Sequence, residues 1–426
     1  MIERSGSLSD GTPYLISIPS DWNGVLINDL DYVTRAQDPA QLALLEKGYA
    51  LSGTARHANR RYEYDPAFEI AKLLDVRDMV VREFGEPTYV IAHGYSGGGN
   101  VALGTAEHFG NEIDGAIANC AHDAIPLMNQ GLDLYFSLKA LLAPNRETLW
   151  PGTIELLPDD HRAMAAEWQQ VLDDALTTPE GRARMALALT ISQYPAWVAG
   201  EKPDVRDLES VAMSVLQTVR ATANSNQVGG QSRVMFESSA GALSWNTGVN
   251  YVQHFRDGNR VLKRVVRELY ADAGLEVDGD LATINAAPRI AADQDALDFW
   301  RQPGRYVTGE FEVPLLRSHT AGDLAVPPAV LQGYAKQVRS SGNNALYRTT
   351  FVDRAGHCNY TAAEIVTQVE LLVDRLESGR WPSTNPQQLN RLADSLTTGS
   401  ESRFIRYDSD PLTPVVRYSR TWSPVG

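Results

Sequence analysis

Thr88-Tyr-Val-Ile-Ala-His-Gly-Tyr-Ser-Gly-Gly-Gly99 begins as an apolar, β-like run and breaks into Gly94-Tyr95-Ser96-Gly97-Gly98. Small residues two before and two after a serine let the backbone turn sharply from a strand into a helix. Such a turn lifts the hydroxyl out of the fold, above a helix N-terminus. The following Asn100–Glu107 reads as the start of that helix, so this G-x-S-x-G elbow has the right context as well as the right letters.

Outward from the elbow, extended segments alternate with helical ones. Leu15–Pro19 and Gly24–Ile27 read as strands around the turn-like Pro19–Gly24. A helix over Leu42–Lys47, stopped by Gly48, precedes a strand at Tyr49–Ser52. Asp65-Pro66 reads as an N-cap with a first-turn proline. Ile70, Leu73, Leu74, Val80, Val81 and Phe84 then recur at helical spacing before Gly85. Gly115–Cys120 is a further strand. Strand, helix, strand, helix, strand predicts a parallel sheet wrapped by helices.

Beyond Cys120 the alternation stops. Residues 124–309 read as mostly helical, with segments at His161–Ala175, Gly181–Ser192, Asp207–Ala223 and Arg260–Ala273 and turns such as Asn224–Ser232. Strand character returns at Val313–His319. A helix over Pro328–Arg339, a strand at Ala345–Val352 and a helix over Ala362–Leu376 follow. The expected organisation is an α/β core (1–123 and 310–378) interrupted by a helical insertion (124–309). A C-terminal extension (379–426), rich in Pro, Ser, Thr and Asn, is expected to pack on the core as irregular structure. The competing arrangement is a separate middle domain.

The 426 residues, with 43% hydrophobic and 21% charged content, fit an ordinary globular protein. A net charge of −15 argues against a nucleic-acid face and disfavours an anionic membrane surface. No charged segment followed by an apolar one opens the chain, and no apolar run nears the roughly 18 residues of a membrane span. Two cysteines, Cys120 and Cys358, supply neither a disulfide framework nor a cysteine zinc site; both fall at strand ends on the active-site side, which leaves their proximity open, and inert buried thiols are expected. These readings predict a cytoplasmic protein, with a homo-oligomer left open.

A serine is a poor nucleophile unless a base lies within hydrogen-bond reach and a third group orients that base. In the fold implied by the elbow, the partners follow in the order serine, acid, histidine. Where the strand pattern resumes, Ser318-His-Thr-Ala-Gly-Asp-Leu-Ala-Val-Pro327 places Asp323 in a strand-end loop. Of the eight histidines, only His357 comes after Asp323, in Arg354-Ala-Gly-His-Cys358 at the end of the next strand. Ser96, Asp323 and His357 are therefore the expected nucleophile, acid and base, with Asp123 as the reserve acid. The oxyanion is expected to meet the backbone N–H of Gly97 and that of Tyr32, in the loop after Gly24–Ile27. That loop reads Asn28-Asp-Leu-Asp-Tyr32, where many such enzymes carry His-Gly.

These residues resemble the α/β-hydrolase superfamily, in particular esterase- or peptidase-like members with a helical cap after the sixth core strand. The resemblance covers Thr12–Cys120 and Val313–Leu376. It implies a mostly parallel eight-stranded sheet with helices on both faces, a Ser-Asp-His triad and a site between core and cap. A serine nucleophile argues against the dehalogenase and epoxide hydrolase members, which use aspartate. The His357-Cys358 pair resembles tannases and feruloyl esterases, but Tyr95 stands before the serine where those enzymes carry a second cysteine.

The remaining features are secondary. His93 is expected to pack in the core, and Arg56 and His57 to border the pocket. His122 and Asp123 lack a third ligand at metal-site spacing, and no phosphate loop or dinucleotide fingerprint is present, so neither metal nor organic cofactor is expected. Aromatic residues of the insertion (Trp150, Trp168, Trp197, Trp245, Trp300, Phe236) suit a bulky, partly apolar small molecule. The expected activity is a serine hydrolase cleaving an ester or lactone, less readily an amide, through an acyl-enzyme. A peptidase or amidase on the same three residues is the first rival, and Glu155, Glu167, Asp173 or Asp174 could then hold a substrate amine. An acyltransferase or carbon–carbon hydrolase is the second, and a silent scaffold the third.

Overall fold

The computed structural model describes residues 1–56, 64–149, 158–224, 235–396, 401–409 and 412. Its strands are β1 (Ile2–Ser7), β2 (Pro13–Ile18), β3 (Val25–Leu30), β4 (Ala50–Thr54), β5 (Tyr89–Tyr95), β6 (Gly115–Asn119), β7 (Leu315–Gly322), β8 (Tyr347–Ala355) and β9 (Phe404–Ile405). They form one sheet in the order β1-β2-β4-β3-β5-β6-β7-β8-β9. The run from β4 to β8 is parallel, while β1, β2 and β9 pair antiparallel at the two edges. This is the α/β-hydrolase architecture, with nine strands where eight were expected. The surplus lies at the edges. Ile-Glu-Arg-Ser-Gly-Ser of β1 is exposed along its whole length, so it carries no apolar alternation to betray a strand.

The central strands alternate residue by residue between two apolar layers, as a sheet covered on both faces requires. Ile27, Ile91, Ile117 and Leu316 face a layer with Val366, Val369 and Leu372 of the helix Ala362–Ser378. Val90, Ala92, Ala116 and Leu315 face the opposite layer with Leu103, Ala106 and Val338. Local chemistry sets the helix ends. Asp65 accepts a hydrogen bond from Ala67 N–H ahead of Pro66–Phe84, and Thr361 and Glu364 form a reciprocal capping box.

Between β6 and β7 the described chain is helical: Ala124–Leu142, Pro158–Leu176, Pro179–Ser192, Leu208–Asn224, Tyr251–Arg256, Arg260–Asp272, Val277–Ala286 and Gln294–Trp300. Tyr135, Trp168, Leu187, Val215 and Val266 give this region its own apolar core. Where the chain returns to the sheet, Glu107, at the end of the elbow helix, accepts hydrogen bonds from the N–H groups of Thr308 and Gly309 at 2.6 and 2.7 Å.

The described part of the segment after Gly379 contains regular structure. Pro386–Leu396 is a helix whose Leu389 and Ala393 are buried with Phe404 in the layer containing Val366. Leucine and alanine at one face of a short helix carried that burial, hidden among the polar residues around it. His57, Trp150, Glu155 and most of the Asn224–Ser232 turn lie outside the described residues. Among the described residues, no helix is long and apolar enough to cross a membrane.

Candidate active site

Ser96 joins β5 to the helix Gly97–His108 with φ 56° and ψ −117°, a conformation costly for a residue with a side chain. The glycine pattern follows from crowding. A Cβ at Gly94 would overlap the backbone of Gly98, and one at Gly99 would come within 2.7 Å of the Ala121 side chain. Among the described residues, five non-glycine residues have positive φ: Asp31, Ser96, Cys120, Gln193 and Cys358. All but Gln193 surround the elbow. Strained backbone concentrated in this way marks a site that the rest of the fold holds in place.

Asp323 follows β7 directly and is fully buried. Its carboxylate accepts from Val326 N–H at 3.0 Å and from His357 Nδ1, which lies 2.8 and 3.1 Å from its two oxygens. His319 stands beside it with Nε2 donating to the Val326 carbonyl at 2.7 Å, and burial pushes its pKa down to about 4. His319 is therefore neutral at pH 7, and His357 is the partner of Asp323 that can take up a proton. Burial works against protonating His357, yet the charge and hydrogen bonds of Asp323 outweigh it and lift its pKa above the ordinary histidine value; Arg56 pulls the other way. With Nδ1 committed to Asp323, Nε2 is the nitrogen left for chemistry.

The elbow and the histidine loop are tied together through β6. Ser96 N–H donates to the Asn119 carbonyl at 2.9 Å, and the next residue, Cys120, is joined to Cys358 by a disulfide with Cα atoms 5.4 Å apart. Cys358 follows His357 immediately. The two sulfurs, expected as separate thiols, are thus a covalent bracket across the site. Among the described residues, no hydrogen bond joins the Ser96 hydroxyl to His357. Such contacts are often long before substrate is bound and tighten in its presence.

Asp123, the reserve acid, is committed elsewhere. It faces the buried guanidinium of Arg317 at 3.0 Å, and Arg317 also donates to the Ala121 carbonyl at 2.8 Å. His122 is buried, its pKa pushed down to about 3 chiefly by burial, and its Nδ1 accepts from Ala124 N–H at 3.3 Å. His93 does more than pack: Nδ1 lies 2.7 Å from Asp29 and Nε2 lies 3.1 Å from the Asn119 amide, which links β3, β5 and β6.

Gly97 is buried and Tyr32 begins a short helix, Tyr32–Arg35, in the loop after β3. A Cβ at Gly98 would meet Leu30 at 3.4 Å, so this loop abuts the elbow. Asp31 N–H is taken by the Thr54 carbonyl, whereas no described residue accepts from Tyr32 N–H. The Tyr32 phenol points into the core and reaches Ser17 at 2.8 Å.

Sequence reasoning missed Tyr64, whose buried hydroxyl lies 3.0 Å from both the Gly97 carbonyl and Asn100 Oδ1. Tyr64 packs with Phe236 and Trp300 in an apolar wall where the elbow helix meets the helical region. Three of the four insertion carboxylates considered for an amine are described, and each is engaged with another residue of the insertion. Glu167 pairs with Arg146, Asp173 with Arg220, and Asp174 accepts from Gln170.

No family model matches the chain. It is 41% identical to o-phthalyl amidase of Xanthobacter agilis, over 99% of this chain and 97% of that one. Among solved structures it is similar to feruloyl esterase B of Aspergillus oryzae (13% identity, TM-score 0.39, 89% of this chain and 80% of that one). Lipase A of Candida antarctica in its closed state is similar at 13% identity and TM-score 0.39, over 92% and 85%.

Proposed function

This chain belongs to the family of o-phthalyl amidase and is a hydrolase, and on that premise we propose that it cleaves an amide of a small aromatic acid through an acyl-enzyme on Ser96. His357 Nε2 takes the Ser96 proton as Oγ attacks the carbonyl carbon, and Asp323 holds the imidazole and stabilises the imidazolium. The Gly97 and Tyr32 N–H groups receive the oxyanion; losing one such donor typically costs about 2.7–4 kcal/mol of transition-state stabilisation. Collapse of the tetrahedral intermediate breaks the C–N bond, and His357 returns its proton to the departing amine. Water, deprotonated by the same histidine, then releases the acid.

The observation that carries this reading is the pairing of the solvent-accessible His357 with the buried Asp323, bracketed by Cys120–Cys358 to the strand beside a Ser96 of positive φ. The amidase relative favours the amide over the ester that the sequence suggested first. The helical region 124–309 serves as the cap of this reading, with Tyr64, Phe236 and Trp300 packed in the apolar cluster that joins it to the elbow helix. The disulfide suits an oxidising compartment better than the cytoplasm expected from the sequence.

The test is amine release from a phthalyl monoanilide by the wild type, Ser96→Ala and His357→Ala. Both variants are expected to lose several orders of magnitude in kcat while keeping their thermal midpoint within a few degrees. Near-normal turnover by Ser96→Ala would refute the assignment of the nucleophile.

A further inference from the structure

We propose that Arg56, held beside the nucleophile by Asp31, binds a carboxylate on the acyl half of the substrate and so selects amides of dicarboxylic acids. The inference rests on the acyl-enzyme reading above and adds the residue that reads the acid.

β4 ends at Thr54, and two residues later the chain lays Arg56 over the elbow. Its Nε and Nη2 meet the two oxygens of Asp31 at 3.1 and 2.8 Å, a side-on, two-point pairing. The third nitrogen, Nη1, lies 2.9 Å from where a Cβ of Gly97 would stand, directly over the residue after the nucleophile. No described residue accepts a hydrogen bond from Nη1. Gly97 is thus the residue type that lets the guanidinium approach.

Asp31 is itself fixed for this task. Its φ of 81° turns the loop, its N–H donates to the Thr54 carbonyl at 2.8 Å, and its carbonyl accepts from Thr34 N–H at 3.0 Å. A guanidinium held along one edge by a carboxylate keeps its opposite edge preorganised, and two N–H groups there match a second carboxylate. The Arg56 side chain is 36% exposed, so a ligand can reach it.

Position sets the chemistry of that ligand. A group bound over Gly97 lies next to the carbonyl under attack, so the recognised carboxylate belongs to the acid and not to the amine. Two carboxyl carbons on adjacent atoms, as on an ortho-disubstituted ring, bring the second carboxylate that close. Of the insertion carboxylates that could have gripped a substrate amine, Glu167 pairs with Arg146, Asp173 with Arg220, and Asp174 accepts from Gln170.

Two measurements test this. The first compares kcat/KM for a phthalyl monoanilide, its 4-carboxybenzoyl isomer and a benzoyl anilide in the wild type, Arg56→Gln and Arg56→Lys. The ortho-carboxylate preference should fall roughly 10- to 150-fold in Arg56→Gln, the range of a charge-assisted hydrogen bond, and return in part in Arg56→Lys. Equal losses on all three substrates would overturn the inference and make Arg56 a structural strap or an oxyanion donor.

The second titrates phthalate, the acid product, into Ser96→Ala with and without Arg56→Gln by calorimetry. Phthalate affinity should drop in the double variant by the same factor. Undiminished binding would overturn the role of Arg56 while leaving the serine mechanism intact. Conversely, full activity in Ser96→Ala would sink that mechanism, and the binding comparison would still read Arg56.

Discussion

Two buried aspartates follow adjacent strands at the same end of the sheet, and their fates differ. Asp123, after β6, faces the guanidinium of Arg317, which stays protonated at every pH the protein meets. Asp323, after β7, faces His357, whose charge comes and goes near neutrality. The first pair fixes two strands and offers no proton; the second holds a base in one orientation and tolerates its protonation. Burial is nearly the same for the two carboxylates, so the counter-ion separates a structural acid from the one proposed to be catalytic.

The largest expected effect is that of Asp323→Asn, which keeps the shape but reverses the imidazole's hydrogen-bond preference. A loss of about 10⁴ in kcat is expected, the size seen when the third member of a serine triad is amidated. Steady-state amine release measures it, and a variant within tenfold of the wild type would break the comparison. Asp123→Asn should act on stability instead. It leaves Arg317 buried without its counter-charge, a loss of about 3–5 kcal/mol in chemical denaturation. The folded fraction should keep its turnover number. Unchanged stability with lost turnover would exchange the roles of the two aspartates.

The disulfide ranks next, because it ties the His357 loop to β6 across 238 residues of chain. Replacing both Cys120 and Cys358 with Ser should cost about 2–4 kcal/mol, read from the denaturant midpoint. No shift in that midpoint would contradict the bond. The smallest effect is on pH dependence. The proposed mechanism needs neutral His357, and Asp323 raises its pKa, so activity should appear on raising the pH through a value above the ordinary histidine pKa. The stability contributed by the His357–Asp323 pair has the opposite sense: it is full below the ordinary histidine pKa and fades as pH rises through the raised one. Arg56→Gln removes an opposing positive charge and should move the acid limb of kcat/KM upward; a downward shift would contradict the placement of Arg56.

Much of the candidate site was legible in the chain because its punctuation is local. Gly94 and Gly98 frame Ser96, and His357 is the lone histidine after Asp323. The helix ends at Asp65-Pro66 and Gly85 were legible for the same reason. What escaped depends on tertiary approach. The Cys120–Cys358 bond joins residues whose spacing carries no signature, and the Arg56–Asp31 pair is made by two loops that meet only when β3 and β4 lie side by side. Tyr64 gave no sign of its contact with Gly97, since a lone tyrosine before a helix reads like any other. β1 and the helix Pro386–Leu396 hid behind polar composition.

Chemical labelling of the native hydroxyl is the most direct examination of the mechanism. A fluorophosphonate should modify one residue per molecule, mapped by mass spectrometry to the peptide carrying Ser96, with the rate cut severely in Asp323→Asn and unaltered in folded Asp123→Asn. Modification of another residue, or equal labelling rates in the two aspartate variants, would contradict it.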